Sequence, residues 1–306
     1  MSESLSVNLQ TSAPATPRAT WRDYVGLTKP RIIELLLVTT IPTMMFAASG
    51  WPDLATAIAT LVGGTLAAAG ANVLNCYIDA DIDALMPRTA HRATVTGAIS
   101  TRATVMFGLI LSLLSTLVLG TFTNSLAASF AALAIIFYVG VYSLLLKRRT
   151  AQNIVWGGIA GCFPVIIGWT AVTGSISWEP LVLFVVVFLW TPPHYWPLAI
   201  KYRDEYSAAA VPMLPVVAAD TVVAKQIVLY SWAMVISSLA LIPATGVVYW
   251  TSAGLSGAWF LYQAHHLQAV IRRGVEAGKP AMRLFHGSIS YLSILFLAVG
   301  IDSLLS

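Results

Sequence analysis

Three oxygen-bearing side chains recur at every fourth residue in one short stretch of the sequence. Asn75, Asp79 and Asp83 occupy positions i, i+4 and i+8, which on an α-helix places all three on one face. Asn72 lies three residues earlier and shares that face, whereas Asp81 points elsewhere. Carboxylates one turn apart repel each other, and beside hydrocarbon each is costly unless it is paired. Because Mg²⁺ binds one or two carboxylates together with phosphate oxygens, we predict a metal site with Asn75, Asp79 and Asp83 as its ligands.

Two arginines follow this acidic stretch. Arg88 and Arg92 lie on either side of His91, and the guanidinium group is a planar fork that suits phosphate oxygens. Carboxylates followed closely by arginines are typical of a site that binds a diphosphate through a bridging metal ion. The alternative is structural, namely a solvated acidic helix end whose arginines contact lipid headgroups.

A second polar segment, with the sequence KYRDEY, covers residues 201–206. Its cations are expected to neutralise a diphosphate, its acidic residues are possible metal ligands, and its two tyrosines lie one helical turn apart. The alternative is an amphipathic surface segment whose charges are satisfied. Lys201 and Asp204 are the catalytic candidates, together with Asp79 and Asp83, and Tyr202, Arg203 and Tyr206 are substrate-binding candidates, together with Asn72, Asn75, Arg88 and Arg92.

The composition requires a membrane around these segments. Of the 306 residues, 58% are hydrophobic and only 10% are charged, and the mean hydropathy is +0.78. Globular proteins carry about 25% charged residues, so a soluble domain of this composition could not keep its apolar surface from water. Nothing alternates with the period of a barrel strand, so the sequence predicts an all-α membrane protein.

Nine segments are long and apolar enough to cross a bilayer, which takes about 20 residues. The eighth is the weakest, because it is short and contains several polar residues. Three prolines near the end of the sixth are expected to break or kink that helix, so that irregular backbone lines a cavity. The predicted spans are residues 32–50, 54–76, 103–121, 125–146, 152–173, 179–200, 226–249, 254–271 and 284–304.

The basic residues predict the orientation of these spans. All 17 Lys and Arg lie before the first span or in loops on one side, so the N-terminus is expected to be cytoplasmic and the C-terminus external. The net charge of +4 therefore reflects topology and not nucleic-acid binding. Residues 1–30 are predicted to be a disordered cytoplasmic tail, and residues 31–306 a single transmembrane domain. Cytoplasmic loops at about 77–102 and 201–225 carry the predicted site.

The stretch NCYIDADID, residues 75–83, resembles the first signature of the UbiA superfamily of intramembrane prenyltransferases. Its extension NCYIDADIDALMPRT, and the later runs PHYWPLAIKYRDEY and AVPMLPV, look most like the branch of that superfamily that prenylates haem. The resemblance covers about residues 20–304. It implies nine transmembrane helices around a central cavity and a Mg²⁺-dependent reaction of an isoprenyl diphosphate.

Carried onto this chain, the resemblance implies that Asn75, Asp79 and Asp83 hold the diphosphate through Mg²⁺, with help from Arg88 and Arg92. The implied reaction transfers a farnesyl group from farnesyl diphosphate to the vinyl group of haem B. Water is added, and the product is hydroxyethylfarnesyl haem, or haem O, for terminal oxidases. The implied location is the bacterial inner membrane, with haem A synthase or oxidase assembly proteins as expected protein partners.

His194 belongs to the PHYW run and is a further substrate-binding candidate. It is expected either to ligate a haem iron or move a proton, or to cap the kinked helix by hydrogen bonding. Two features depart from the superfamily pattern. KYRDEY lacks two aspartates four residues apart, so the ligands of a second metal stay open among Asp204, Glu205 and the tyrosines. Ala210 also occupies a position where glycine is expected.

Two other functions are compatible with parts of the sequence. One is prenyl transfer to an aromatic acceptor such as 4-hydroxybenzoate, against which the PHYW and KYRDEY runs argue. The other is secondary transport, which two similar halves and broken helices would suit. The acidic residues, however, lie at the ends of spans and not at their midpoints, which argues against a transporter.

Overall fold

The computed structural model describes residues 19–305, without the side chains of residues 31–36. All regular secondary structure in this range is helical, which confirms the all-α prediction. One π-helical segment, Phe137–Leu146, directly continues α7, and a short 3₁₀ turn covers Ile242–Ala244. The α-helices are α1 (Trp21–Thr28), α2 (Pro30–Ala48), α3 (Leu54–Ile78), α4 (Ala80–Leu85), α5 (Ala93–Thr96), α6 (Thr101–Phe122), α7 (Ser125–Ile136), α8 (Asn153–Gly157), α9 (Ile159–Thr173), α10 (Trp178–Lys201), α11 (Arg203–Ala208), α12 (Leu214–Val217), α13 (Asp220–Leu239), α14 (Val247–Arg272) and α15 (Gly278–Leu305).

Within the described range, seven helical segments are long and apolar enough to cross a membrane. Helices α2 and α14 occupy the positions of the predicted first and eighth spans. Helix α14 contains Gln263, His265 and His266, which make it less apolar than the others. The seven segments are Leu54–Ile78, Thr101–Phe122, Ser125–Leu146, Asn153–Thr173, Trp178–Lys201, Asp220–Ala244 and Gly278–Leu305.

The sixth span was predicted to break or kink at its prolines, and the predicted break does not occur. Helix α10 continues from Trp178 to Lys201 through its three prolines, Pro192, Pro193 and Pro197. Proline is tolerated in membrane helices because neighbouring helices and side chains can satisfy the carbonyl groups that it frees. Irregular backbone lies farther along the chain, at residues 210–213.

Two other boundaries differ from the predictions. The seventh span was expected at residues 226–249, but α13 begins at Asp220 and ends at Leu239, before a turn that contains Pro243 and Gly246. Residues 1–18 of the predicted tail lie outside the described residues. The end of that tail forms α1, which starts where the backbone N–H of Thr20 donates to the Asp23 carboxylate at 2.8 Å.

Small residues allow α3, which carries the first motif, to lie very close to α6. A Cβ atom on Gly70 would come within 2.5 Å of Ser112 Oγ and 2.9 Å of the Gly108 carbonyl oxygen. Farther along the same contact, Ser115 Oγ donates to the Gly63 carbonyl at 2.7 Å. Close approach through small residues and side-chain hydrogen bonds is the usual means of helix association in membranes. It fixes the position of α3 in the bundle.

The start of α14 is held by a carboxylate from another helix. Asp302 of α15 is buried and accepts hydrogen bonds from the backbone N–H groups of Gly246, Val248 and Tyr249 at 2.8, 3.2 and 2.8 Å. The first N–H groups of a helix have no partner within it, and a negative charge also suits the positive end of the helix dipole. Asp302 therefore joins the last two long helices at the end of the bundle opposite the first motif.

Candidate functional site

Asn75, Asp79 and Asp83 lie on consecutive helical turns where α3 passes into α4. Asp79 N–H donates to the Asn75 carbonyl at 2.9 Å, and Asp83 N–H donates to the Asp79 carbonyl at 2.7 Å. The helical register therefore continues through the junction of the two helices at Asp79. The three residues are only 2%, 1% and 4% exposed. Asp81, between them, is exposed and forms a bidentate pair with Arg148 at 2.6 and 2.7 Å.

Each of the three side chains contacts a cation. Lys29 Nζ donates to Asn75 Oδ1 at 2.7 Å. Lys147 Nζ pairs with Oδ2 of Asp79, and Arg92 Nη1 pairs with Oδ2 of Asp83. The cations come from three separate places, before α2, after the π-helical segment and before α5. Loss of hydration lowers the pKa of Lys29, and the nearby cations Arg92 and Lys147 add to this effect.

Lys29 and Lys147 are site residues that the sequence analysis missed. They were used only to orient the spans, although both lie at the ends of predicted spans on the same side as the first motif, where a cation can reach it. The π-helical segment explains the placement of Lys147. Lys147 N–H donates to the Tyr142 carbonyl, five residues earlier, at 2.9 Å, and this wider turn also brings the Ser143 hydroxyl within 3.0 Å of Asn75 Nδ2. Single π-helical turns inside α-helices are frequent at functional sites.

The two carboxylate oxygens of Asp79 differ in their contacts. Asn75 Nδ2 donates to Asp79 Oδ2 at 2.7 Å, and Lys147 contacts the same oxygen. Asp79 Oδ1 is buried and has no hydrogen-bond partner among the described residues. A buried carboxylate oxygen without a partner is costly, and a cation would satisfy it.

The oxygen ligands at this site fit Mg²⁺ better than a metal ion whose ligands all come from the protein. Among the described residues, no three His, Cys, Asp or Glu side chains converge on one point. Asp79 and Asp83 offer carboxylates on adjacent turns, whereas the amide oxygen of Asn75, the third predicted ligand, accepts from Lys29 at 2.7 Å. Mg²⁺ is usually bound by one or two carboxylates and completed by water and phosphate oxygens.

Arg88 joins the first motif region to the second polar segment. Its guanidinium donates to the Tyr206 hydroxyl at 3.2 Å and lies 3.5 Å from a Glu205 carboxylate oxygen. It also lies over the rings of Tyr202 and Tyr206, at 5.6 and 5.7 Å from their centroids. The two loops that carry the polar segments are therefore linked through one arginine, and the Lys201 ammonium lies 5.4 Å from the centroid of the Tyr202 ring.

The other residues of the second segment do not reach the first motif. Arg203 forms an ion pair with Asp220 at the start of α13. Asp204 and Lys201 are exposed. Within the described part of the chain, no ion pair or hydrogen bond joins Lys201, Arg203 or Asp204 to Asp79 or to Asp83.

An apolar cavity of ≈ 220 Å³ lies between the long helices, next to the first motif. Asn72 is buried at its wall, one turn from Asn75, and its amide donates to the Thr28 carbonyl at 2.9 Å. Small residues of α3, α8 and α9 make up much of the lining. These are Gly64, Ala67, Ala68, Ala71, Gly157, Gly158, Ala160 and Gly161.

Aromatic residues form another part of the wall, among them Tyr138, Tyr142, Trp190 and Tyr195. His194 lies beside them and is buried, and its Nδ1 lies 2.7 Å from the Ser288 hydroxyl of α15. The histidine thus connects two helices and does not cap its own helix.

Comparison with known proteins places this geometry in a family context. Residues 36–289 match the UbiA prenyltransferase family. The chain is 57% identical over 284 residues to the protoheme IX farnesyltransferase of Clavibacter sepedonicus, covering 92% of each chain. It is 56% identical over 285 residues to the protoheme IX farnesyltransferase of Streptomyces avermitilis, covering 92% of this chain and 93% of that one.

Solved structures share the fold at low sequence identity. A digeranylgeranylglyceryl phosphate synthase superposes with a TM-score of 0.76 and 16% identity, covering 93% of this chain and 99% of that one. A UbiA homologue from Archaeoglobus fulgidus, bound to DMAPP and Mg²⁺, superposes with a TM-score of 0.69 and 18% identity, covering 92% and 99%.

Proposed function

Because this chain belongs to the UbiA prenyltransferase family, we propose that it transfers the farnesyl group of farnesyl diphosphate to a vinyl group of haem B. The product is hydroxyethylfarnesyl haem, or haem O. Relatives that are named protoheme IX farnesyltransferase, at 56–57% identity over nearly the whole chain, support this choice of substrates. The protein is a multi-pass membrane prenyltransferase.

The observation that carries the proposal is the unpaired oxygen of Asp79, two helical turns from Asn72 at the wall of an apolar cavity. Asp79 and Asp83 would hold Mg²⁺, and Asn75 would orient Asp79 through the bond between their side chains. When bound, Mg²⁺ neutralises the charge that develops on the departing diphosphate. The solved structure of the UbiA homologue from Archaeoglobus fulgidus contains bound DMAPP and Mg²⁺.

Lys29, Lys147 and Arg92 supply the positive charge for the diphosphate. These three cations contact a motif that holds only two carboxylates, Asp79 and Asp83. With all three cations protonated, the cluster carries one more positive than negative charge before any metal binds, which attracts an anionic leaving group. Fixed cations that face the developing charge stabilise the transition state without reorganisation.

The cavity suits the farnesyl chain. Its lining on α3 runs from Thr60 to Asn72, a distance of about 18 Å at 1.5 Å per residue. The apolar wall excludes water from the allylic cation, and the aromatic rings of Tyr138, Tyr142 and Trp190 can stabilise its charge through their faces.

The C1–O bond of farnesyl diphosphate breaks, and its electron pair leaves with the diphosphate. The vinyl π pair of haem B forms the new C–C bond, which leaves a cation on the carbon beside the porphyrin. A lone pair of water forms the C–O bond, and one proton is released.

The location is proposed to be the bacterial inner membrane, with the N-terminus cytoplasmic and the C-terminus external. The distribution of all 17 Lys and Arg supports this orientation. The diphosphate site then faces the cytoplasm. Haem A synthase and oxidase assembly proteins stay predicted partners.

Reconstitution tests the proposal. The purified protein is incubated with haem B, farnesyl diphosphate and Mg²⁺, and the haem is analysed by mass spectrometry. We expect the mass of haem O, and none without Mg²⁺. Unchanged haem B would contradict the proposal. Prenylated 4-hydroxybenzoate in a parallel reaction would favour the aromatic-acceptor alternative.

A further inference from the structure

His194 is held rigidly at the wall of the cavity. Its ring stacks on Trp190 at a centroid distance of 4.1 Å and on Phe285 at 4.6 Å, with interplanar angles of 16° and 25°. The side chain is 6% exposed, and Nδ1 lies 2.7 Å from Ser288 Oγ. The Trp190 indole N–H donates to the Ser288 carbonyl at 2.8 Å. Both the tilt and the rotation of the imidazole are therefore fixed.

The hydrogen bonds around Ser288 determine the tautomer of the imidazole. Ser288 Oγ donates its hydrogen to the Phe285 carbonyl at 2.6 Å. A hydroxyl has only one hydrogen to donate, so Oγ accepts from His194, and Nδ1 carries the proton. In the neutral ring, Nε2 then has a free lone pair. It has no hydrogen-bond partner among the described residues, although the ring borders the cavity.

This arrangement is the one that histidine adopts when it ligates a metal. A ligating histidine donates its other ring N–H to a carbonyl or another acceptor, which fixes the ring and makes the ligand more basic. A histidine general base is oriented by the same kind of Nδ1–H bond. Among the described residues, however, no carboxylate or ammonium group is hydrogen-bonded to this ring to exchange a proton with it, which favours ligation over proton transfer.

Two glycines at the cavity wall leave open space beside them. A Cβ atom added to Gly64 or to Gly161, both at the cavity wall, would meet no other atom within 4 Å. His194 lies seven residues before the end of α10 at Lys201, and Asn72 lies seven residues before Asp79. Both side chains thus lie about 10 Å from the helix ends that carry the charged residues.

We propose that Nε2 of His194 is an axial ligand to the iron of the acceptor haem. The inference rests on the proposed function, because it takes haem B as the acceptor. Ligation would hold the iron at His194 and limit the porphyrin to rotation about the Fe–N bond, which restricts where a vinyl group can lie relative to the diphosphate site. His194 is then a positioning residue for the transfer reaction.

Haem titration of the full-length purified protein tests this inference. Ferric haem B is added to the wild type, His194→Ala, His194→Met and the control His286→Ala, and absorption and electron paramagnetic resonance spectra are recorded. His286 is a nearby exposed histidine on α15. We expect His194→Ala to lose the histidine-ligated spectrum and to bind haem at least about ten-fold more weakly. Added imidazole should restore the spectrum, His194→Met should give that of a thioether ligand, and His286→Ala should match the wild type.

The same samples separate this inference from the proposed function. If the wild type makes haem O but His194→Ala and His194→Met keep the wild-type haem spectrum, ligation is overturned and the function stands. If the wild type makes no haem O, the function fails, and the spectra still decide on ligation. A variant that misfolds is recognised because imidazole does not restore the spectrum, and His194→Met then provides the answer.

Discussion

The Lys147 amine pairs with one oxygen of the Asp79 carboxylate and leaves the other oxygen buried without a described partner. The two residues are 68 positions apart in the sequence and meet because a π-helical segment ends at Leu146. The pair holds the carboxylate in place while one oxygen stays available. A metal ion and a diphosphate would then bind beside a carboxylate and a cation that are already adjacent.

Removing the charge of Lys147 should slow the reaction, because the diphosphate is then bound and stabilised less well. We expect Lys147→Gln to raise the KM for farnesyl diphosphate and to lower kcat/KM by about 10²-fold, since one fixed charge facing the leaving group is lost. Steady-state haem O formation measures both constants. Arg149→Gln is the matched control, because Arg149 is exposed and close in sequence, and it should resemble the wild type. Equal losses in the two variants would argue against a specific role for Lys147.

Arg88 should hold together the two loops that carry the polar segments. We expect Arg88→Ala to speed hydrogen exchange in residues 201–213 by about five-fold or more, because its contacts with Tyr202, Glu205 and Tyr206 are lost. Mass spectrometry of deuterium uptake measures the change. His91→Ala, at an exposed position in the same loop, is expected to leave exchange unaltered. Identical uptake in the Arg88 variant and the wild type would mean that the loops are held by other contacts.

How much of the site could be predicted from the sequence depends on how far apart the contacting residues lie in the chain. The spacing of Asn75, Asp79 and Asp83 predicted their common face, and the backbone bonds between them keep that register. Asp81 points away from that face, as expected, and Arg148 lowers the pKa of its carboxyl group by hydrogen bonding. The common face depends only on residues within two or three helical turns, whereas Arg148 lies 67 residues from Asp81.

The contacts of Lys29, Lys147 and His194 could not be foreseen in the same way. Their partners lie 46, 68 and 94 residues away, so they depend on how helices pack. The sequence also carries no clear signal for the π-helical segment. The prolines of α10 misled the prediction, because rules for soluble helices overstate their effect in a membrane bundle.

Asp302 should matter for stability and not for chemistry. Asp302→Asn replaces an acceptor oxygen with an NH₂ group that faces the N–H groups at the start of α14, so we expect unfolding to cost about 1–3 kcal/mol less. Thermal unfolding in detergent measures this, and activity below the melting transition should be retained. Asp53→Asn is the control, since Asp53 caps α3 at an exposed position by accepting from Thr56 N–H at 2.9 Å. A larger loss in the Asp53 variant would contradict the role given to Asp302.

Ala210 should be replaceable by glycine with a gain in stability. Its φ is 51°, in the left-handed region that costs residues with a Cβ about 1–2 kcal/mol. Part of that gain is offset by the greater freedom of glycine in the unfolded chain, so we expect Ala210→Gly to add up to about 1 kcal/mol. Ala208→Gly, inside α11, should instead be destabilising. A lower melting temperature for Ala210→Gly would show that the backbone is not strained there.

Haem O formation by Asp79→Asn, compared with Asp81→Asn, tests the metal–diphosphate site most directly. Both changes remove one negative charge from the same short stretch, but only Asp79 offers a buried, unpaired oxygen, while Asp81 is exposed and paired with Arg148. With each protein purified and shown to be folded, we predict that Asp79→Asn loses at least about 10²-fold in Mg²⁺-dependent haem O formation and that Asp81→Asn stays active. Wild-type yield from Asp79→Asn would contradict the account.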